Sequence, residues 1–157
     1  MDTHCHLDQY DEKQLKEILS DSRKVDRIIG ASINKSSGER LLKMKLKYPQ
    51  ISVCLGIHPE YPEYYHEFEE VKKLIIENKD LITGIGEIGL PYYNLRKLNS
   101  KGQSNLKKAA EEMYIRFLDL AEEINFPVVL HAIEETATFA LQELKKRKIS
   151  ASTLSLV

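Results

Sequence analysis

Apolar positions along the chain alternate between two periods. Leu15, Ile18 and Leu19 fall at helical spacing within residues 12–20. The run Val25-Asp26-Arg27-Ile28-Ile29-Gly30-Ala31 then predicts a short β-branched strand. Leu42 and Leu46, with Leu41 and Met44 beside them, predict a second helix that stops before Pro49. Ile51-Ser52-Val53-Cys54-Leu55-Gly56 predicts another strand, ending in Ile57-His58-Pro59. Phe68, Val71, Leu74 and Ile75 mark the next helical stripe, and Leu81 to Ile88 the next strand, its glycines suited to bends or close packing. A polar loop is expected from Asn94 to Asn105. The longest helical face follows, carrying Leu106, Ala110, Met113, Phe117, Leu120, Ala121 and Ile124. Pro127-Val128-Val129-Leu130-His131 predicts a strand, and Ile133, Ala137, Leu141 and Leu144 a last helix. That helix closes on Lys145-Lys146-Arg147-Lys148, a solvated end that complements the helix dipole.

Counting the extended opening, this is five strand-plus-helix units in strict alternation, which predicts a parallel sheet with helices outside it. A doubly wound open sheet also fits the alternation, so the choice falls to the chemistry. In a (β/α)8 TIM barrel, catalytic groups collect at the carboxyl ends of the strands. His4 and His6, His58, Glu87 and His131 all stand at such ends, and the expected fold is an α/β barrel of this type.

Length and composition narrow the picture. The 157 residues suit one domain, and 42% hydrophobic with 30% charged residues suits a soluble globular protein. A net charge of −1 leaves no global positive field for nucleic acid, although a protein gripping phosphates through metal ions needs none. Cys5 and Cys54 lie in strand-like runs and make no disulfide framework, which suits a reducing compartment. With no apolar run of membrane-spanning length and a polar, acidic opening, a cytoplasmic location is expected.

The candidate chemistry begins with Asp2-Thr3-His4-Cys5-His6-Leu7-Asp8. Side chains on a strand alternate faces, so His4 and His6 present two imidazoles to one point, as a divalent metal requires. Glu87 ends an apolar strand, where a buried carboxylate needs a cation or hydrogen bonds. His131 ends Val128-Val129-Leu130 in the same way. His58, stiffened by Pro59, suits either a substrate contact or support of the ligands. Asp8 either orients the metal site or caps the first helix. His66 reads as a surface residue, and Tyr92 and Tyr93 as candidates to line a substrate cleft.

These residues carry a resemblance. The chain resembles the TatD-type metal-dependent hydrolases, deoxyribonuclease-like members of the amidohydrolase superfamily. The similarity rests on the opening motif, Gly56-Ile57-His58-Pro59, Gly86-Glu87-Ile88-Gly89-Leu90 and Pro127-Val128-Val129-Leu130-His131, in family order across nearly the whole chain. The resemblance implies a distorted TIM barrel holding one or two divalent ions, whether zinc, manganese or magnesium. It implies metal ligation by His4 and His6, a bridging and catalytic Glu87, and His131 on a second ion. It also implies attack of metal-activated water on DNA or another phosphoester.

The resemblance further implies a histidine on strand six and an aspartate on strand eight, and neither has a counterpart here. A full barrel takes roughly 250 residues, so a C-terminally truncated domain is expected, with low activity on its own. Codons such as ACA CTT TCA TTG GTT for residues 153–157, read one base later, give His-Phe-His-Trp, which is similar to the missing motif. A frameshift is the expectation drawn from it. Open sheet edges would then favour self-association. The competing readings are a non-catalytic metal-binding or interaction module, and another His-x-His phosphoesterase.

Overall fold

The computed structural model describes residues 2–20, 27–149 and 155–156, with side chains for 5–20 and 27–149. Six strands, β1 (Asp2–Cys5), β2 (Ile28–Ala31), β3 (Ile51–Leu55), β4 (Gly84–Gly89), β5 (Val128–His131) and β6 (Ser155–Leu156), form one sheet. The helices between them are α1 (Glu12–Ser20), α2 (Lys35–Lys47), α3 (Phe68–Glu77), α4 (Tyr92–Arg96), α5 (Ser100–Glu123) and α6 (Glu135–Lys145). Every strand pair is parallel, and the spatial order β1-β2-β3-β4-β5-β6 repeats the order in sequence.

That order decides between the two architectures. Parallel crossovers are right-handed, so strands always added on the same side keep their helices on one face. A doubly wound sheet must instead reverse its direction of growth. The unbroken order is the winding of a (β/α)8 barrel, of which these strands make an arc.

Burial on both faces agrees. Strands β2 to β5 are buried throughout, as parallel strands covered on both sides must be. Ile28, Val53, Leu55, Ile85 and Leu130 join the large core under the helices, while Ile29, Cys54 and Val129 form a separate cluster on the opposite, inner face. Cys54 is sealed there, and burial pushes its thiol up to about 12.

Local signals account for most boundaries. Asp11 Oδ1 accepts the Gln14 N–H and Gln14 Oε1 accepts the Asp11 N–H, so Asp11 rather than Asp8 opens α1. Asn34 and Ser37 make the same reciprocal box on α2. The outer layer is tied by Tyr114 on α5, which is 1% exposed and donates its hydroxyl to Ala140 O at 2.9 Å on α6. Tyr114→Phe is expected to cost about 1 kcal/mol in urea denaturation, the worth of one buried hydrogen bond.

Three expectations shift. The polar stretch from Asn94 to Asn105 is largely helical: α4 enters it, and α5 starts at Ser100 because the Asn99 side chain accepts the Gly102 N–H. The fourth strand begins at Gly84, since Leu81 and Ile82 N–H groups are used on Asn78 O to close the end of α3. Leu46 is 71% exposed, whereas Leu41, Leu42 and Met44 are buried, so the apolar face of α2 excludes it. Val25 and Asp26 of the second predicted strand lie outside the described residues.

Candidate metal centre

Glycine sets how closely β4 lies against β5. Gly86 and Gly89 have φ of +157° and +156°, a conformation costly for residues with a side chain. A Cβ on Gly86 would stand 2.6 Å from Val129 O and 2.7 Å from Val129 Cβ. A Cβ on Gly89 would run into the His131 carbonyl. This approach carries Glu87 and His131 to the same point at the carboxyl ends of their strands.

Glu87 is 1% exposed and stands among imidazoles. His131 Nδ1 lies 2.6 Å from its Oε1, while His58 Nε2 and His6 Nε2 lie 3.3 Å and 3.7 Å from its Oε2. Neighbouring partners settle which ring nitrogens carry protons. His6 Nδ1 sits 3.0 Å from Ala31 O, which can only accept, so Nδ1 donates and the neutral ring turns an unprotonated Nε2 to Glu87. His58 Nδ1 accepts the Glu60 N–H at 3.1 Å, so the neutral His58 ring keeps its proton on Nε2. His131 Nδ1 donates to Glu87, and its Nε2 is a buried atom with no hydrogen-bond partner among the described residues.

This donor set fits a divalent cation. Ligand atoms of His6, His58 and Glu87 all lie within 4.8 Å of one another. A buried carboxylate with imidazole nitrogens is a borderline-hard set, suited to zinc or manganese. His6 also has the arrangement of a metal-ligating histidine, with its other N–H fixed on a backbone carbonyl. His58, with its proton on Nε2, turns that N–H toward Glu87 Oε2 at 3.3 Å.

The imidazoles floor an open cleft of about 510 Å³, walled by Glu60, Tyr61, Tyr93, Asn94 and Lys97. Of the residues singled out in the sequence, His6, His58, Glu87 and His131 meet here. The His4 side chain lies outside the described residues. Tyr92 is 6% exposed and lines a separate pocket with Leu90, Leu95 and Phe139, while its neighbour Tyr93 faces the cleft. Asp8 lines another pocket beside Asn34 and Arg40, with its carboxyl held above the usual range by burial. His66 is exposed.

Sequence reasoning missed Glu60, Tyr61, Asn94 and Lys97. Glu60 was within reach, since it follows His58 at the carboxyl end of β3. Asn94 and Lys97 were hidden by the unexpected helix α4.

Comparison with known proteins converges on one family. A family model described as TatD related DNase matches residues 1–154. An uncharacterized metal-dependent hydrolase of Haemophilus influenzae is 33% identical over 153 residues, covering 94% of this chain and 58% of the relative. Human deoxyribonuclease TATDN3 is 29% identical, covering 84% of this chain and 51% of the relative. The crystal structure of YjjV, a TatD homolog from Escherichia coli K12, superposes with a TM-score of 0.76 at 22% identity, over 94% of this chain and 56% of that one. The chain thus spans about half the length of the relatives it matches. It belongs to the TatD-related DNase family.

Proposed function

We propose that this chain carries the metal-binding half of a hydrolase that cleaves DNA phosphodiesters with a metal-activated water. The observation that supports this most is the fully buried Glu87 carboxylate met by the side-chain nitrogens of His6, His58 and His131. A divalent ion held there supplies Lewis acidity and a water of lowered pKa. Glu87 and His6, with His4 beside it in the motif, would hold the ion, and His131 would complete the donor set. His58 holds its Nε2–H 3.3 Å from Glu87 Oε2 and stands in the cleft floor, where that donor can serve a phosphate oxygen. Lys97 brings positive charge to the cleft wall, and Tyr61 and Tyr93 bring faces on which a base can stack. This local arrangement removes the need for a basic surface on a chain of net charge −1.

Over the half of its relatives' length that this chain spans, the residues present are proposed to bind the metal, and turnover is proposed of the whole hydrolase.

Two substitutions separate the roles. His6→Ala is expected to weaken Zn²⁺ binding by about 100-fold in titration calorimetry. His58→Ala is expected to keep affinity within about tenfold while any cleavage of single-stranded DNA falls by about 100-fold. Equal loss of metal in both variants would place His58 among the ligands. Unchanged zinc binding in His6→Ala would overturn the reading.

A further inference from the structure

We propose that Glu60 is a positioning residue for the metal centre, acting through His131; this rests on the metal reading above and deepens it. Glu60 is an unusual carboxylate, with a side chain only 12% exposed. Among the described residues no lysine or arginine pairs with it. Its Oε1 accepts the Tyr93 N–H at 2.6 Å and its Oε2 the Asn94 N–H at 2.9 Å. Its own carbonyl accepts Asn94 Nδ2 at 2.6 Å. Two backbone donors of the loop after β4 thus fix the carboxylate and a third donor holds the Glu60 main chain, while the ring facing that carboxylate is His131, whose Nε2 lies 3.7 Å from Oε1.

His131 therefore sits between two carboxylates that face different nitrogens of one ring. Glu87 meets Nδ1 at 2.6 Å, and Glu60 faces Nε2. A neutral imidazole has one N–H, and in this arrangement Nδ1 uses it on Glu87. A cation shared by Glu87 and His131 needs the lone pair of the nitrogen nearest Glu87, which is Nδ1. The ring must then be the tautomer with its N–H on Nε2. Glu60 is the acceptor already fixed on that side, 3.7 Å away, so a small ring shift completes the bond. Carboxylates that take the second N–H of a ligating histidine orient the ring and typically change metal affinity by 10–100-fold. The same carboxylate holds the start of α4, so Tyr93, Asn94 and the His131 ring are set by one group. Metal occupancy and the cleft wall are coupled through it.

The test uses the whole chain with Zn²⁺ as probe, comparing wild type, Glu60→Gln and Asn94→Ala. Histidine ring tautomers are read by long-range ¹H–¹⁵N NMR and affinity by calorimetry. Wild-type His131 is expected to pass from the Nδ1–H to the Nε2–H form as zinc binds. Glu60→Gln is expected to lose at least tenfold in affinity with its fold intact by circular dichroism. Asn94→Ala, which loosens the loop but keeps the carboxylate, is expected to bind within a few-fold of wild type. Wild-type affinity in Glu60→Gln, or equal losses in the two variants, overturns the proposal in favour of a cap on α4 alone. Zinc binding with His131 still in its Nδ1–H form overturns it as well. A wild-type chain that takes up no zinc overturns the metal reading itself, and this inference with it.

Discussion

Glu87→Gln is expected to abolish measurable Zn²⁺ binding while leaving the chain folded. Glutamine keeps an oxygen to accept the His131 Nδ1–H, now 2.6 Å from Oε1, but it removes the charge that would hold the ion. Buried at 1% exposure, that charge has little to gain from solvent and much to gain from a cation. Wild-type chain at zinc 100-fold above its dissociation constant gains about 2.7 kcal/mol by mass action. Its Tm should therefore rise on adding zinc, and that of Glu87→Gln should stay where it is. Loss of the fold in Glu87→Gln without metal would make the carboxylate a structural group first. An equal zinc-dependent rise in both proteins would place the ion elsewhere.

Gly86→Ala is expected to be the most damaging small substitution in the sheet, costing about 3 kcal/mol or more in urea denaturation. Two costs coincide at this position. The backbone has φ of +157°, and the added Cβ would meet the Val129 carbonyl oxygen at 2.6 Å. Neither contact can yield at the far end of a flexible side chain, because both partners are main chain or Cβ of β5. The strands must separate instead, and Glu87 and His131 separate with them. The variant should therefore lose zinc affinity in whatever fraction remains folded. A stability within 1 kcal/mol of wild type would show that β4 and β5 pack with room to spare.

Much of this was visible in the sequence, for a topological reason. A parallel strand that ends in a polar residue delivers that residue to one rim of the sheet. His58, Glu87 and His131 could be grouped without any knowledge of contacts. The apolar runs also located β3 and β5 closely, since strands buried on both faces read as continuous hydrophobic stretches. Alternation alone left the barrel and the open sheet equally possible. The spatial order of the strands is a tertiary fact that separates them.

What stayed hidden depends on single hydrogen bonds. No pattern announces that the Glu60 N–H reaches back to His58 Nδ1, yet that bond puts the proton of the neutral His58 ring on Nε2. Helix α4 was obscured because Tyr92–Arg96 is too short to show a period, and its first N–H groups are satisfied by Glu60 from another loop. Tyr92 and Tyr93 look equivalent in sequence. One helical step sends the first into a pocket beside Phe139 and the second toward the cleft. Leu46 fits the apolar stripe of α2 by type but falls outside the arc that the sheet covers.

The most direct test of the central claim is anomalous diffraction at the zinc edge from crystals of the chain grown with Zn²⁺. A peak is expected about 2.0–2.2 Å from a Glu87 carboxylate oxygen and about 2.0–2.1 Å from His6 Nε2, with His6 Nδ1 still on Ala31 O. Peaks confined to exposed groups such as His66, with the Glu87–His131 pair closed at its present 2.6 Å, would contradict it.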